Sequence, residues 1–359
     1  MTFCLRPNSF AAYCLASLLI STPAVHAQHA PAGKLQIYFV DVEGGQATLF
    51  ITPSGKSLLI DTGWPEHGGR DADRIAAVVK DAGLKRIDFL LITHYHDDHV
   101  GGVPQLVARV PVGTFIDHGP NRETDNVGTA KNYAAYQRIL AGGNYRHITA
   151  SPGDVLPIDT VTAGLKITVV SADGNVLKTP LLGGGAPNAF CSGAETTPAD
   201  QTENARSLGI QLTFGSLKIL DLGDLTRDKE AQLVCPGNLL GTQDIYIVSH
   251  HGWLQSSSPA MVDALHARVA IMDNGETKGG SIPVIDTVMK APCLENLWQL
   301  HTSAEGGATH NTALAYIANP PGTDFGYYLK LTGQSDGSFS VFNSRTAEIK
   351  AYPVSSGRK

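Results

Sequence analysis

The 359-residue chain predicts an α/β protein with sheets at its core. Three observations lead there. Short β-branched or apolar runs, broken by Gly or Pro, recur along most of the chain. Stretches with helical spacing alternate with these runs instead of forming a separate block. The apolar set makes up 42% of residues against 17% charged, enough for a large buried core.

The elements follow in order. Leu35–Val40, Ala47–Ile51 and Ser57–Ile60 read as successive strands of one sheet. Asp71–Ala82 places Ile75, Val78, Val79 and Ala82 at helical intervals. Asp88–Thr93 reads as a buried strand, and Pro104–Val110 as a short helix after a Gly-Gly turn. Strands return at Leu165–Val170, Leu208–Phe214 and Leu217–Leu222. Thr226 stands where it can cap the next helix, with Asp228 and Glu230 in the first turn. Ile245–Val248 and Arg268–Met272 read as strands around a helix at Pro259–His266. Tyr327–Leu331 and Ser338–Phe342, joined through Ser335-Asp336-Gly337, form a closing hairpin within residues 325–345. Residues 172–204 are rich in Gly, Pro, Ser and Thr and carry no periodicity, which marks a mobile loop expected to cover a site.

Residues 1–27 read as an address. Arg6 is the single charge, Phe10–Ile20 an apolar run, and Val25-His26-Ala27 a small-x-Ala cleavage site before Gln28. The run is short for a membrane span. The expectation is an exported protein, periplasmic or secreted, with one domain over residues 28–359 and no membrane span after processing. Removal of the leader takes one arginine and no acid, so the net charge of −6 becomes more negative by one. An acidic chain disfavours nucleic acid as a partner, for want of a cationic track. Cys191, Cys235 and Cys293 remain, enough for one disulfide and one thiol, with the pairing open.

The chemistry sits in His94-Tyr95-His96-Asp97-Asp98-His99, directly after a strand. Three imidazoles and two carboxylates in six residues exceed any packing need. Nitrogen and oxygen donors of this kind suit zinc, with manganese or iron as alternatives. His94 and His96 project alike if the strand continues, while Asp98 and His99 turn into a helix start. Asp224 closes a later strand, and His250-His251 close another before Gly252.

This set resembles the metallo-β-lactamase superfamily. Closer likeness is to the lactamase-like domain of ComEC-type competence proteins: Val40-Asp41-Val42-Glu43-Gly44-Gly45-Gln46-Ala47 is similar to its "DVGQGDA" opening. Leu59-Ile60-Asp61-Thr62-Gly63 matches "LIDTG", Gly223-Asp224 "GD" and His250-His251-Gly252 "HHG". The likeness covers most of residues 35–300. It implies a four-layer αββα sandwich with one or two metal ions along one sheet edge. It implies His94 and His96 on the first metal. Asp98, His99 and one of His250 and His251 fall on the second, and Asp224 bridges the two. Asp61 would orient a ligand histidine. Asp98, Asp224 and His251 carry the catalytic assignment. One departure stands out: the family's third His on the first metal has no counterpart in Gln201–Ser207, where Asn204 or water would complete the site.

His118 and His147 are weaker candidates for that place, better read as hydrogen-bonded loop residues. Trp64 and Trp253 suit a pocket wall or a core, Tyr95 a donor to a substrate oxygen, and Lys278 an anion contact or a solvated lysine. His301 and His310 flank a Gly-rich turn near the site. The function implied is hydrolysis by a metal-bound hydroxide, with phosphoesters first and lactones or β-lactams second. A lactamase-like binding module without catalysis is the competing class.

Overall fold

A computed structural model describes residues 33–191, 197–322 and 324–355. The leader expected at residues 1–27 lies outside the described residues. Strands β1 (Leu35–Phe39), β2 (Thr48–Ile51) and β3 (Ser57–Ile60) form an antiparallel meander. Helix α1 (Arg70–Asp81) carries the chain to β4 (Ile87–Leu91), parallel to β3. Short helices α2 (Asp97–Val100) and α3 (Val103–Val107) precede β5 (Val112–Asp117). Helix α4 (Val127–Gly142) leads to β6 (Arg146–Thr149), which completes the parallel half of this sheet.

The second sheet starts at β7 (Leu165–Ala172) and its short partner β8 (Asn175–Val176). Strand β9 (Ala186–Pro187) stands apart, and β10 (Gly209–Phe214) and β11 (Leu217–Asp221) form a hairpin. After α5 (Arg227–Val234), β12 (Gly237–Asn238) pairs with β9 in a two-stranded ribbon. The chain continues through β13 (Ile245–Ile247), α6 (Pro259–Leu265), β14 (Val269–Met272), α7 (Ile282–Met289), β15 (Asn296–His301) and β16 (Ile317–Asn319). Strands β17 (Leu329–Gly333), β18 (Phe339–Asn343) and β19 (Ile349–Tyr352) return to the first sheet, β17 lying antiparallel to β1.

The sheets have nine strands, ordered β19-β18-β17-β1-β2-β3-β4-β5-β6, and eight, ordered β16-β15-β14-β13-β11-β10-β7-β8. Three separate apolar cores give four layers. The middle core joins inward side chains of both sheets, such as Leu35, Ile37 and Phe39 with Ile210, Leu212 and Ile219. The second lies between the first sheet and α1 to α4, around Ile75, Val79, Leu106 and Tyr136. The third lies between the second sheet and α5 to α7, around Leu233, Met261 and Val284. Period-two alternation explains the arrangement: in β1, Ile37 and Phe39 face the other sheet while Tyr38 faces the helices. This is the four-layer αββα sandwich that the resemblance implies. Among the described residues no helix is long and apolar enough to cross a membrane.

Several details differ from the sequence reading. The strand before the His cluster ends at Leu91, not Thr93, and the third helix spans Val103–Val107. Helix α4 has no aliphatic stripe, because its buried residues are Thr129, Asn132 and Tyr136. Thr226 does stand at an N-cap, but its hydroxyl donates to Asp228 at 2.6 Å and the side chain makes no cap bond to the helix amides. Within residues 172–204, the part up to Cys191 contains β8, β9 and a 3-10 turn tied to α5 by the Cys191–Cys235 disulfide. Cys293 is the exposed thiol.

Candidate metal centre

Parallel strands of both sheets end at one edge, where loops carry the polar groups, as in open α/β sheets generally. From the first sheet come Asp61 after β3 and the His94–His99 segment after β4. From the second come Asp224 after β11 and His250-His251 after β13. His250 and His251 both adopt positive φ, 56° and 54°, a conformation that costs non-glycine residues and that the surrounding turn must hold.

One set of donors is compact. Single ligand atoms of Asp98, His99, Asp224 and His251 all lie within 4.8 Å of one another, and all four residues are buried. His251 Nε2 lies 3.1 Å from Asp98 Oδ2, 3.2 Å from His99 Nε2 and 3.4 Å from Asp224 Oδ1. His99 Nε2 lies 3.2 Å from both Asp98 Oδ2 and Asp224 Oδ2.

The other set is looser. His94 Nε2 stands 3.2 Å from His96 Nδ1 and 3.9 Å from Asp224 Oδ2. His250 Nε2 is 3.3 Å from Asp224 Oδ2, and Asn204 Nδ2 is 3.5 Å from His250 Nε2. Because β4 stops early, His94 and His96 converge through an irregular turn and the N-terminus of α2, not through strand alternation. The structure divides the histidine pair: His251 joins the compact set and His250 the loose one.

The ring nitrogens are assigned by what lies behind them. His99 Nδ1 donates to Asp61 Oδ2 at 2.7 Å. Thr93 Oγ1 donates to the same oxygen at 2.6 Å and faces His94 Nδ1 at 3.0 Å, so Asp61 positions two histidines at once. Ser256 Oγ lies 3.3 Å from His250 Nδ1, and Asp273 Oδ1 3.4 Å from His251 Nδ1. Each of these four rings therefore turns Nε2 toward the donors. His96 is the exception: its Nε2 donates to Glu123 Oε2 at 2.8 Å, which leaves Nδ1 facing His94.

The titrations follow from this packing. Burial would push the Asp98 carboxyl up, but Lys278 and His99 beside it hold it well below the usual range. Burial opposes ionisation of Asp224 in the same way, and His250, His99 and His251 outweigh it. Burial, with His99 and His96 nearby, keeps His94 neutral. His251 is pushed up to about 9, because Asp224 and Asp273 overcome burial, whereas burial takes His250 down to about 4.

Four observations show that this arrangement fits cations. His94 Nε2 and His96 Nδ1, both potential ligand atoms, face each other at 3.2 Å. Asp224 Oδ1 and Asn204 Oδ1 are buried and accept no hydrogen bond. Two carboxylates are ionised in the interior. Mixed imidazole and carboxylate donors suit zinc, manganese or iron.

The weaker candidates fall elsewhere. His118 pairs with buried Glu203 at 3.0 Å and His147 with Asp117 at 2.8 Å, so neither reaches the donors. The Tyr95 hydroxyl donates to the Gly119 carbonyl and is turned away, which corrects its expected role toward substrate. His301 pairs with Asp41 at 2.6 Å and His310 with Asp286 at 2.8 Å. Trp64, Trp253 and Lys278 meet at the site, with the Lys278 Nζ on Asp98 Oδ2. Asn204, at the end of the 172–204 segment, does reach it, with Nδ2 3.5 Å from His250 Nε2, and Ser207 Oγ, just beyond that segment, lies 3.5 Å from His94 Nδ1. Sequence assigns no site role to Glu123, Thr93, Ser207, Ser256 or Asp273, ordinary residues whose contact with a histidine only the folded chain shows.

Comparison with known proteins agrees with this geometry. Residues 41–175 match the profile of the metallo-beta-lactamase superfamily, a span that includes Asp61 and the whole His94–His99 cluster. A hydroxyacylglutathione hydrolase of Stenotrophomonas maltophilia is 35% identical over 108 residues, 29% of this chain and 37% of that protein. A UPF0173 metal-dependent hydrolase of Polynucleobacter asymbioticus is 38% identical over 111 residues, 28% of this chain and 35% of that protein. Recombination protein 2 of Haemophilus influenzae is 26% identical over 249 residues, 69% of this chain but 25% of that protein. The chain thus spans about a quarter to two-fifths of the length of these relatives. The chain is thus similar to the metallo-beta-lactamase superfamily over residues 41–175, the segment that carries Asp61 and the His94–His99 cluster.

Proposed function

We propose that the protein is a metal-dependent hydrolase, active on small-molecule esters with phosphoesters first. The observation that carries this reading is the convergence of Asp98, His99, Asp224 and His251 on one point, with His94 and His250 also approaching Asp224 Oδ2 and His96 beside His94. His94, His96, His250 and Asn204 would hold a first ion, Asp98, His99 and His251 a second, and Asp224 would be shared between them. Zinc is the proposed metal, with manganese or iron as alternatives. When bound, such ions activate water near neutral pH and stabilise the oxyanion that develops on the substrate. The chain's own residues supply the rest. Asp61 and Glu123 fix ring orientation from opposite sides of the cluster, and burial of the carboxylates excludes competing water.

The preference for phosphoesters rests on the shared carboxylate, since paired cations a few ångströms apart suit in-line displacement at phosphorus. A second reading is favoured by the match to a hydroxyacylglutathione hydrolase: attack at the carbonyl of a thioester, lactone or lactam. Export is also proposed, supported by the leader-like residues 1–27 and by the Cys191–Cys235 disulfide, a bond that oxidising compartments sustain.

The test loads purified full-length protein with zinc, manganese or iron and measures bound metal. It then screens turnover of phosphodiesters, phosphomonoesters, thioesters, lactones and a cephalosporin reporter. Metal-dependent hydrolysis of one class supports the reading and names the substrate. Failure to bind metal under every loading condition would favour a non-catalytic binding module. N-terminal sequencing of protein from the periplasmic fraction, starting at Gln28, would support export.

A further inference from the structure

Lys278 lies in the loop between β14 and α7, and its backbone is clamped on two sides. The Gly275 amide donates to the Lys278 carbonyl at 2.9 Å, and the Gly280 amide to the His251 carbonyl at 2.8 Å. A Cβ on Gly279 would overlap that same His251 carbonyl, and one on Gly44 would stand 2.8 Å from Lys278 Cβ. The loop is thus seated against both the opening turn of the chain and the histidine pair. Its side chain is also held. Nζ contacts Asp98 Oδ2 and lies 4.8 Å from the Trp64 ring centroid and 6.0 Å from that of Trp253. Only 22% of the side chain is exposed.

A solvated surface lysine has none of these restraints. The ammonium carries three donors, and Asp98 is its one hydrogen-bonding partner among the described residues. Aromatic faces attract the cation without using up a donor. Donor capacity therefore remains at the mouth, beside Trp253, which is 37% exposed, and within reach of any group bound at the metal donors.

We propose that Lys278 determines specificity by holding an anionic oxygen of the substrate between Trp64 and Trp253, so that the protein selects oxyanionic esters over neutral ones. The oxygen belongs to a phosphoester or to a carboxylate beside the scissile bond. This rests on the hydrolase reading. Lys278 orients the substrate so that its reacting centre sits over Asp98 and Asp224, with the two tryptophans as walls for the remainder.

The test uses full-length, metal-loaded wild type, K278M and K278R. Tryptophan emission follows binding of methylphosphonate, of acetate and of neutral acetamide, since two of the three tryptophans flank the ammonium. Wild type is expected to bind one of the anions and not acetamide. K278M should bind that anion about tenfold more weakly or worse, with K278R recovering part of the loss, as for loss of a charge-assisted hydrogen bond. Whichever anion shows the larger effect identifies the phosphoester or the carboxylate. Equal affinity in K278M would overturn the proposal. So would loss of bound metal in K278M, because Lys278 would then be serving the donor set. A turnover arm compares bis(p-nitrophenyl) phosphate with p-nitrophenyl acetate. The ratio of kcat/KM for the anionic over the neutral ester should fall at least about tenfold in K278M. An unchanged ratio overturns specificity. If wild type turns over neither ester, the hydrolase reading is damaged, and the binding titration still decides the role of Lys278.

Discussion

The two halves of the metal centre share Asp224 but are built differently. On the side of His99 and His251, four donors lie within 4.8 Å and every carboxylate is buried and ionised. On the side of His94, His96 and His250, the spacings to Asp224 stretch to 3.9 Å, and an asparagine, Asn204, stands beside His250 where the resemblance implies a third histidine. The first side is a finished cage. The second is completed by a residue from another loop, His250, and by whatever Asn204 Oδ1 accepts. The difference teaches that the two positions should differ in affinity, the compact one filling first.

Mutations can break or sharpen that contrast. The largest effect is expected from D224A, which removes the one residue facing both sides. Metal should be lost from both positions, and turnover should fall by more than the ~10–100-fold typical of outer partners. Retention of full metal content by D224A, measured by elemental analysis, would overturn the bridging assignment. Next come paired ligand changes. H251Q should abolish the tighter binding phase in a chelator competition, whereas H96Q should remove only the weaker phase. Similar losses in both variants would mean that the halves are equivalent.

Outer partners should give smaller, side-specific effects. D61N disturbs His99 directly and His94 through Thr93, so it should weaken both phases by roughly 10- to 100-fold. E123A should weaken only the phase involving His96, and E123Q less so, because an amide oxygen can still accept from Nε2–H. If E123Q and E123A behave alike, the charge of Glu123 matters more than its orientation of the ring; the carboxyl is held down at about 2, chiefly by its hydrogen bond to His96.

The smallest effect concerns the support of His250. Glu230 is fully buried and accepts from the Ser257 and Ser258 amides at 2.6 and 2.8 Å, which seats Ser256 behind His250. Burial raises its carboxyl from 4.5 to about 7. The folded state then holds this proton more tightly than the unfolded chain. The contribution to stability is complete below about pH 4.5 and declines as pH rises through about 7, by on the order of 3 kcal/mol in total. Melting of metal-free wild type should show this slope between those values, and E230Q should flatten it. An identical slope in E230Q would assign the effect to another group.

Much of this could be read from sequence, for reasons visible in particular residues. The apolar run Leu35–Phe39 reflects a strand buried on both faces, and the helical spacing of Ile75, Val78 and Val79 reflects a helix buried on one, patterns that local sequence records. The His94–His99 cluster is dense along the chain, so it stands out without any alignment. Helix α4 escaped because it buries Thr129 and Asn132 in place of aliphatics. Glu123 escaped because its meaning comes from His96, 27 residues away, across a loop that no pattern marks. The division of labour between His250 and His251 escaped too, since it is decided by two consecutive left-handed backbone conformations.

The middle core has a consequence of its own. Asp61 and the His94–His99 segment are anchored on one sheet, Asp224 and His250-His251 on the other, and the layer of Ile37, Phe39, Ile210 and Ile219 sets the distance between them. That layer works as a caliper. A methyl group removed deep between the sheets would be felt at the rim as a change in the gap between the two groups of donors, side chains that the core residues never touch.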